Sequence, residues 1–172
     1  MQQVSCLCLL DMSATFVTLD HSILLHRLSI WYGISSVSLQ WFTSYLSSLT
    51  STLCGVTVPV LGPVHFNLYT TPLSSLISAS SISHRLYADD TQLFISFVPK
   101  NFSSAINNLQ STITLILSWM SSNYLTHNPS KTEFRLIGLP QKTSKIVNLS
   151  RSLPTTKPIM PSLFAKKSRV HI

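Results

Sequence analysis

LYADDTQLFIS, residues 86–96, sets two adjacent aspartates, Asp89 and Asp90, at the point where two apolar runs must reverse direction. Leu86 before the reversal and Leu93, Phe94, Ile95 and Phe97 after it are strand formers, and residues 88–91 supply the polar turn of a β-hairpin. Aspartate is favoured in turns, so in most hairpins a pair of them only solvates the reversal. Scarcity argues against that here. The chain has five acidic residues in all, Asp11, Asp20, Asp89, Asp90 and Glu133, so no solvated acidic face placed two of them together. Adjacent carboxylates repel, and burying them is costly unless a cation neutralises the pair; Mg²⁺, which prefers oxygen ligands, suits the purpose.

A third carboxylate lies within reach of the same argument. Asp11 ends the apolar run of residues 4–10, which reads as a buried strand. A carboxylate at the end of such a strand is well placed to meet a hairpin tip in the same sheet. Three carboxylates drawn from two strands can hold a two-metal site for in-line attack on a phosphate.

The remaining pattern predicts helices beside that sheet. A helix is expected over residues 22–32, ended by Gly33, the residue type that tolerates a left-handed C-terminal cap. A second is expected over residues 36–49, with Leu39, Phe42 and Leu46 at helical spacing and Ser36 as N-cap. A short third helix falls over residues 72–79, and the hairpin over 84–98. The longest helix should span residues 102–122, where Ile106, Leu109, Ile113, Ile116, Leu117 and Met120 form one apolar stripe and Ser103 caps the start. A last strand over 133–139 joins the sheet. Helices on one face of a small antiparallel sheet make an α+β fold.

Four blocks of the chain, in order over about residues 4–140, resemble the reverse transcriptase of a non-LTR retrotransposon, the long interspersed element type. LDMSATFVTLDHSILLHRL, residues 10–28, resembles that family's first catalytic motif and its following helix, and YADD, residues 87–90, resembles the catalytic hairpin. LGPVHFNLYTTPLSSLI, residues 61–77, resembles the tail of the template-contacting motif with its helix. WMSSNYLTHNPSKTEF, residues 119–134, resembles the segment carrying the fourth motif. The resemblance implies a polymerase palm in which Asp11, Asp89 and Asp90 bind two Mg²⁺ ions that activate the primer 3′ hydroxyl and stabilise the triphosphate. It implies that Lys131 assists the leaving pyrophosphate, although an isolated lysine after Asn128 and Pro129 reads as a surface residue. It sets Phe16 near the nucleotide sugar and counts Tyr87 with it as nucleotide-binding; Phe16 alone would read as core. The implied partners are an RNA template, a DNA primer and deoxynucleotide triphosphates.

Departures from the family's pattern are equally specific. Asp11 lies ten residues from the start, which leaves no room before it for the family's fingers region. The Pro-Gln-Gly loop is replaced in CGVTVPVLGP, residues 54–63: Gly55 and Val56 match, but Thr57, Val58 and Pro59 stand where the longer core is expected. The strands that normally precede this loop are missing, Val17 occupies the place of a customary aspartate, and residues 146–172 do not resemble a thumb. The expectation is a truncated palm over residues 1–140 that is inactive alone, followed by a basic, irregular tail over 141–172. Two alternatives stay open: a non-catalytic nucleic-acid-binding remnant that uses the tail, and a decayed element product with unpaired sheet edges.

Composition bounds these readings. A chain of 172 residues with 45% hydrophobic residues can form one core. The net charge of +7 is uneven, with nine of twelve Lys and Arg residues from Lys131 onward, so the tail can meet phosphate or an anionic membrane surface non-specifically. No charged residue occurs between Arg27 and Arg85, yet Ser, Thr, Gly, Pro and Asn interrupt every apolar window, so no transmembrane helix is expected. Absence of a basic n-region argues against a cleaved signal peptide. Cys6, Cys8 and Cys54 lack zinc spacing; Cys6 and Cys8 share one strand face and suit core packing in a reducing, intracellular compartment.

Overall fold

The computed structural model of the chain describes residues 3–12, 19–51, 61–139 and 143. Within them the elements run β1 (Val4–Asp11), α1 (His21–Tyr32), α2 (Ser36–Ser51), α3 (Gly62–Ser78), β2 (Ser83–Tyr87), β3 (Asp90–Phe97), a 3-10 turn (Pro99–Asn101), α4 (Phe102–Ser122) and β4 (Glu133–Ile137). The four strands form one antiparallel sheet in the order β2-β3-β1-β4. The fold is α+β, as the sequence pattern requires.

Alternation along β1 decides which face of the sheet is core. Val4, Cys6, Cys8 and Leu10 are buried, whereas Ser5, Leu7, Leu9 and Asp11 are half-buried on the opposite face. Cross-strand partners share a face, so Leu93 opposite Cys8, Phe97 opposite Val4 and Phe134 opposite Cys8 extend the same apolar layer. The helices supply its other side: Phe66, Tyr69, Leu73 and Ile77 from α3, and Leu109, Ile113, Ile116 and Met120 from α4. Burial pushes the Cys6 thiol up to about 12 and the Cys8 thiol in the same direction, so both act as small apolar fillers. Cys54 lies outside the described residues.

Several local expectations are met and several need correction. Gly33 caps α1 in the left-handed conformation, φ 65°, with its N–H on the carbonyl of Leu28. The other end begins one residue earlier than expected, because Asp20 is the N-cap: its Oδ1 accepts from the Ile23 N–H at 3.0 Å and from the Ser22 hydroxyl. Ser36 opens α2 at φ 52°, outside the extended conformation of a capping serine. The third helix is longer than residues 72–79. Pro63 sits in its first turn and Pro72 inside it, tolerated because burial of Phe66, Tyr69 and Leu73 outweighs one missing backbone hydrogen bond. The long helix has the expected bounds, but Asn101 rather than Ser103 occupies its N-cap position, and without a side-chain bond. The last strand ends at Ile137. No helix among the described residues is long and apolar enough to cross a membrane.

Candidate active site

The hairpin reverses over two residues. Tyr87 pairs with Asp90, which leaves only Ala88 and Asp89 at the tip, so Asp90 and Thr91 belong to β3 and not to the turn expected from sequence. Ala88 takes φ 50°, a conformation that a residue with a Cβ adopts at a cost of about 1 kcal/mol. The two aspartates therefore have different roles in the backbone: Asp89 turns, and Asp90 pairs.

Register brings the first-strand carboxylate to this hairpin. Asp11 lies directly opposite Asp90 in the β1–β3 ladder, and Tyr87 lies opposite Asp90 on the other side. Tyr87, Asp90 and Asp11 thus form one row across three strands, on the face away from the core. Asp89 joins through its main chain, its carbonyl accepting from the Met12 N–H at 3.0 Å. The fourth strand completes the row. Leu9 pairs with Glu133, so the residue continuing that register past the end of β4 and opposite Asp11 is Lys131. Its Nζ lies 3.5 Å from Asp11 Oδ2.

A short turn delivers that lysine. Asn128 donates its N–H to the Asp11 carbonyl at 3.0 Å, and its Oδ1 accepts from the Ser130 N–H at 3.1 Å and the Ser130 hydroxyl at 2.6 Å. Asparagine before proline is suited to this reversal. His127 bridges Met12 and shares a 2.6 Å hydrogen bond with the Thr132 hydroxyl. Burial lowers the pKa of His127, with the nearby Asp11 charge opposing the shift. The end of β1 is consequently tied on both sides, to the hairpin tip and to residues 127–128.

One atom in this arrangement has an unmet need. Asp11 Oδ2 is buried and accepts no hydrogen bond, and its only described counter-charge is Lys131, whose side chain is 65% exposed against 12% for Asp11. A buried carboxylate oxygen normally has a donor. Hard carboxylate oxygens from Asp11 and Asp90 suit an oxygen-preferring divalent cation, and the orphaned Oδ2 is the place where one would be bound. Among the described residues, however, no three His, Cys, Asp or Glu side chains are gathered into a metal-holding group. What relates the three aspartates here is backbone geometry alone: Asp11 lies opposite Asp90, and Asp89 reaches Met12 through its carbonyl.

The sequence of the chain, compared with models of known families, matches the reverse transcriptase (RNA-dependent DNA polymerase) model over residues 1–159. The chain belongs to the reverse transcriptase family. A search of curated proteins gives no match. The ends of β1 and of the β2–β3 hairpin carry Asp11, Asp89 and Asp90 in this reverse transcriptase domain. Tyr87 stands there 79% exposed. Phe16 and Val17 lie outside the described residues, as do residues 52–60 with the altered loop and the tail from residue 144.

Sequence reasoning missed two groups. The tie of Asn128 to Asp11, and His127, were missed because a polar turn before a strand has no pattern that says what it holds. Arg27, a single basic residue in an amphipathic helix, was passed over for the same reason, yet it is buried. Its guanidinium donates to the Tyr69 carbonyl and to Asn123 Oδ1, and stacks 4.5 Å from the Tyr69 ring centroid and 5.3 Å from that of Trp119. Tyr69 in turn donates its hydroxyl to the Asn123 carbonyl at 2.8 Å. Asn123 is the C-cap of α4, so this node fixes where the chain leaves toward Asn128 and Lys131.

Proposed function

We propose that this chain is the palm part of a non-LTR type reverse transcriptase, in which Asp11, Asp89 and Asp90 are the catalytic, metal-binding carboxylates. The observation that carries the reading is the register: Asp11 opposite Asp90, with the Asp89 carbonyl bonded to Met12. Divalent Mg²⁺ bound there supplies charge neutralisation for nucleotidyl transfer, lowering the cost of ionising a primer hydroxyl and of developing charge on the triphosphate. The chain's own contribution is to hold carboxylates at the end of a rigid sheet and to present Lys131 and Tyr87 in the same row, toward the phosphates and the nucleotide respectively. Phe16, which lies outside the described residues, is assigned to the sugar by the family resemblance alone.

The same reading holds the chain to be inactive alone. Within the family-matched span, Thr57, Val58 and Pro59 replace the Pro-Gln-Gly loop and Val17 replaces an aspartate, so parts that seat template and nucleotide are altered. Seven of the twelve Lys and Arg residues lie in residues 141–172 and favour a second activity, salt-sensitive binding of RNA or DNA through that tail.

Primer extension on poly(rA)/oligo(dT) with Mg²⁺, beside calorimetric Mg²⁺ titration of wild type and Asp11→Asn, tests both parts. The expected result is Mg²⁺ binding that Asp11→Asn abolishes, without extension by either protein. Extension that Asp89→Asn removes would overturn the inactivity; Mg²⁺ binding unchanged in Asp11→Asn would overturn the site.

A further inference from the structure

Lys131 occupies the space beside Asp11 Oδ2, among the described residues the buried carboxylate oxygen that has no hydrogen-bond donor. Its ammonium stands 3.5 Å from Asp11 Oδ2, too far for a hydrogen bond and close enough for an ion pair. The pair is asymmetric: Asp11 is held in the sheet with 12% of its side chain exposed, whereas Lys131 sits on a turn with 65% exposed. The carboxylate is fixed and the lysine is free to leave. We propose that Lys131 is the resident counter-ion of Asp11, and that it must be displaced from Oδ2 before a divalent cation can bind, so that Lys131 sets the cation affinity of the site.

The argument is one of mutually exclusive charges. Two cations cannot share one carboxylate oxygen at contact distance without repelling each other, and a partly buried site screens that repulsion less than bulk water. Without cation, the lysine offsets a charge that would otherwise be desolvated and unpaired. With cation, the lysine swings into solvent on the exposed face, in the row shared with Tyr87 and Asp90, where its ammonium becomes available to a phosphate. Cation loading and lysine release are therefore one event. The inference rests on the proposed metal-binding role of Asp11 and adds to it a competitor built into the chain.

Mn²⁺ affinity, measured by electron paramagnetic resonance of the free ion against the full 172-residue chain, tests this directly. Four proteins are compared: wild type, Lys131→Met, Lys131→Arg and Lys100→Met. Lys100 lies on the 3-10 turn at the opposite end of β3 from Asp90, so its removal lowers the net charge equally without touching Asp11. Because Lys131 is mostly exposed, its variants fold, which circular dichroism checks. The expected result is binding about tenfold tighter in Lys131→Met, with Lys131→Arg and Lys100→Met close to wild type. Equal affinity in Lys131→Met and Lys100→Met overturns the proposal and leaves the metal site standing. No Mn²⁺ binding by any of the four proteins overturns the metal site itself, and the competition with it.

Discussion

Among the described residues, the charged side chains of Arg27 and Asp11 are both withdrawn from water, and the protein treats them differently. Arg27, between α1, α3 and α4, carries a positive charge with no acidic neighbour in its hydrogen-bond network, but its guanidinium reaches two acceptors and lies against two aromatic rings. Burial lowers its pKa from the ordinary value, and a guanidinium remains charged regardless. Asp11, at the end of β1, has a buried oxygen with no donor and a lysine held only at ion-pair distance. Burial of a charge is costly unless local partners offset it. Around Arg27 that requirement is met inside the fold, which marks a structural node. Around Asp11 it is met in part, and that is where the proposed cation site lies.

The largest effect should come from breaking the closed region. Arg27→Met leaves Asn123 Oδ1 without its donor and strips the Tyr69 carbonyl of its side-chain partner and two rings of a stacked cation; an unsatisfied buried acceptor alone costs roughly 1–3 kcal/mol. A loss of about 3 kcal/mol in urea unfolding is expected, with no dependence on Mg²⁺. Asp11→Asn should behave in the opposite way. Without metal its stability should lie within about 1 kcal/mol of wild type, because an ion pair with an exposed lysine contributes little. With Mg²⁺ at tenfold its Kd, wild type should gain about 1.4 kcal/mol by mass action and the variant nothing. A variant that loses as much as Arg27→Met in metal-free buffer would erase the contrast.

Acid should weaken the closed region next. His65 is buried beside the rings of Phe42 and Tyr45, and burial first, then the His21 charge, lower its pKa below the usual histidine value. The unfolded chain then binds more protons than the folded one as pH falls through the ordinary histidine range near 6.5, so stability present above that range declines below it. The urea midpoint should drop between pH 7 and pH 5, and His65→Gln should flatten that drop. A midpoint that does not move with pH in wild type would contradict the burial of neutral His65. The smallest change concerns a helix end: Asp20→Ala removes the cap of α1 and should cost about 1 kcal/mol by thermal unfolding. Its carboxyl is held below the ordinary value by the Ser22 hydroxyl and the Ile23 N–H, so this contribution fades as pH falls through that lowered pKa.

What the sequence disclosed follows the reach of local rules. The α4 bounds, the strand of β1 and the hairpin were legible because apolar periodicity over many residues specifies them. The start of α3 was not, because Pro72 reads as a helix beginning and only the tertiary burial of Phe66 and Tyr69 extends the helix back to Gly62. Scarcity of acidic residues singled out Asp89 and Asp90, the apolar run of residues 4–10 singled out Asp11 at its end, and antiparallel pairing sets Asp11 opposite Asp90. Assigning Asp90 to the strand and only Asp89 to the tip required the register itself. Arg27 and Asn123 are 96 positions apart, and no spacing rule joins them. Their meeting depends on how three helices pack.

Paramagnetic broadening in a nitrogen–proton NMR spectrum during Mn²⁺ titration tests the central claim most directly. The account predicts that the amide signals of Asp11, Met12, Asp89 and Asp90 vanish first, with those of Arg27 and Asn123 broadening only at higher Mn²⁺. Broadening that begins elsewhere, or that persists in Asp11→Asn at the same Mn²⁺ concentration, would contradict the assignment of the site to the end of β1 and the hairpin.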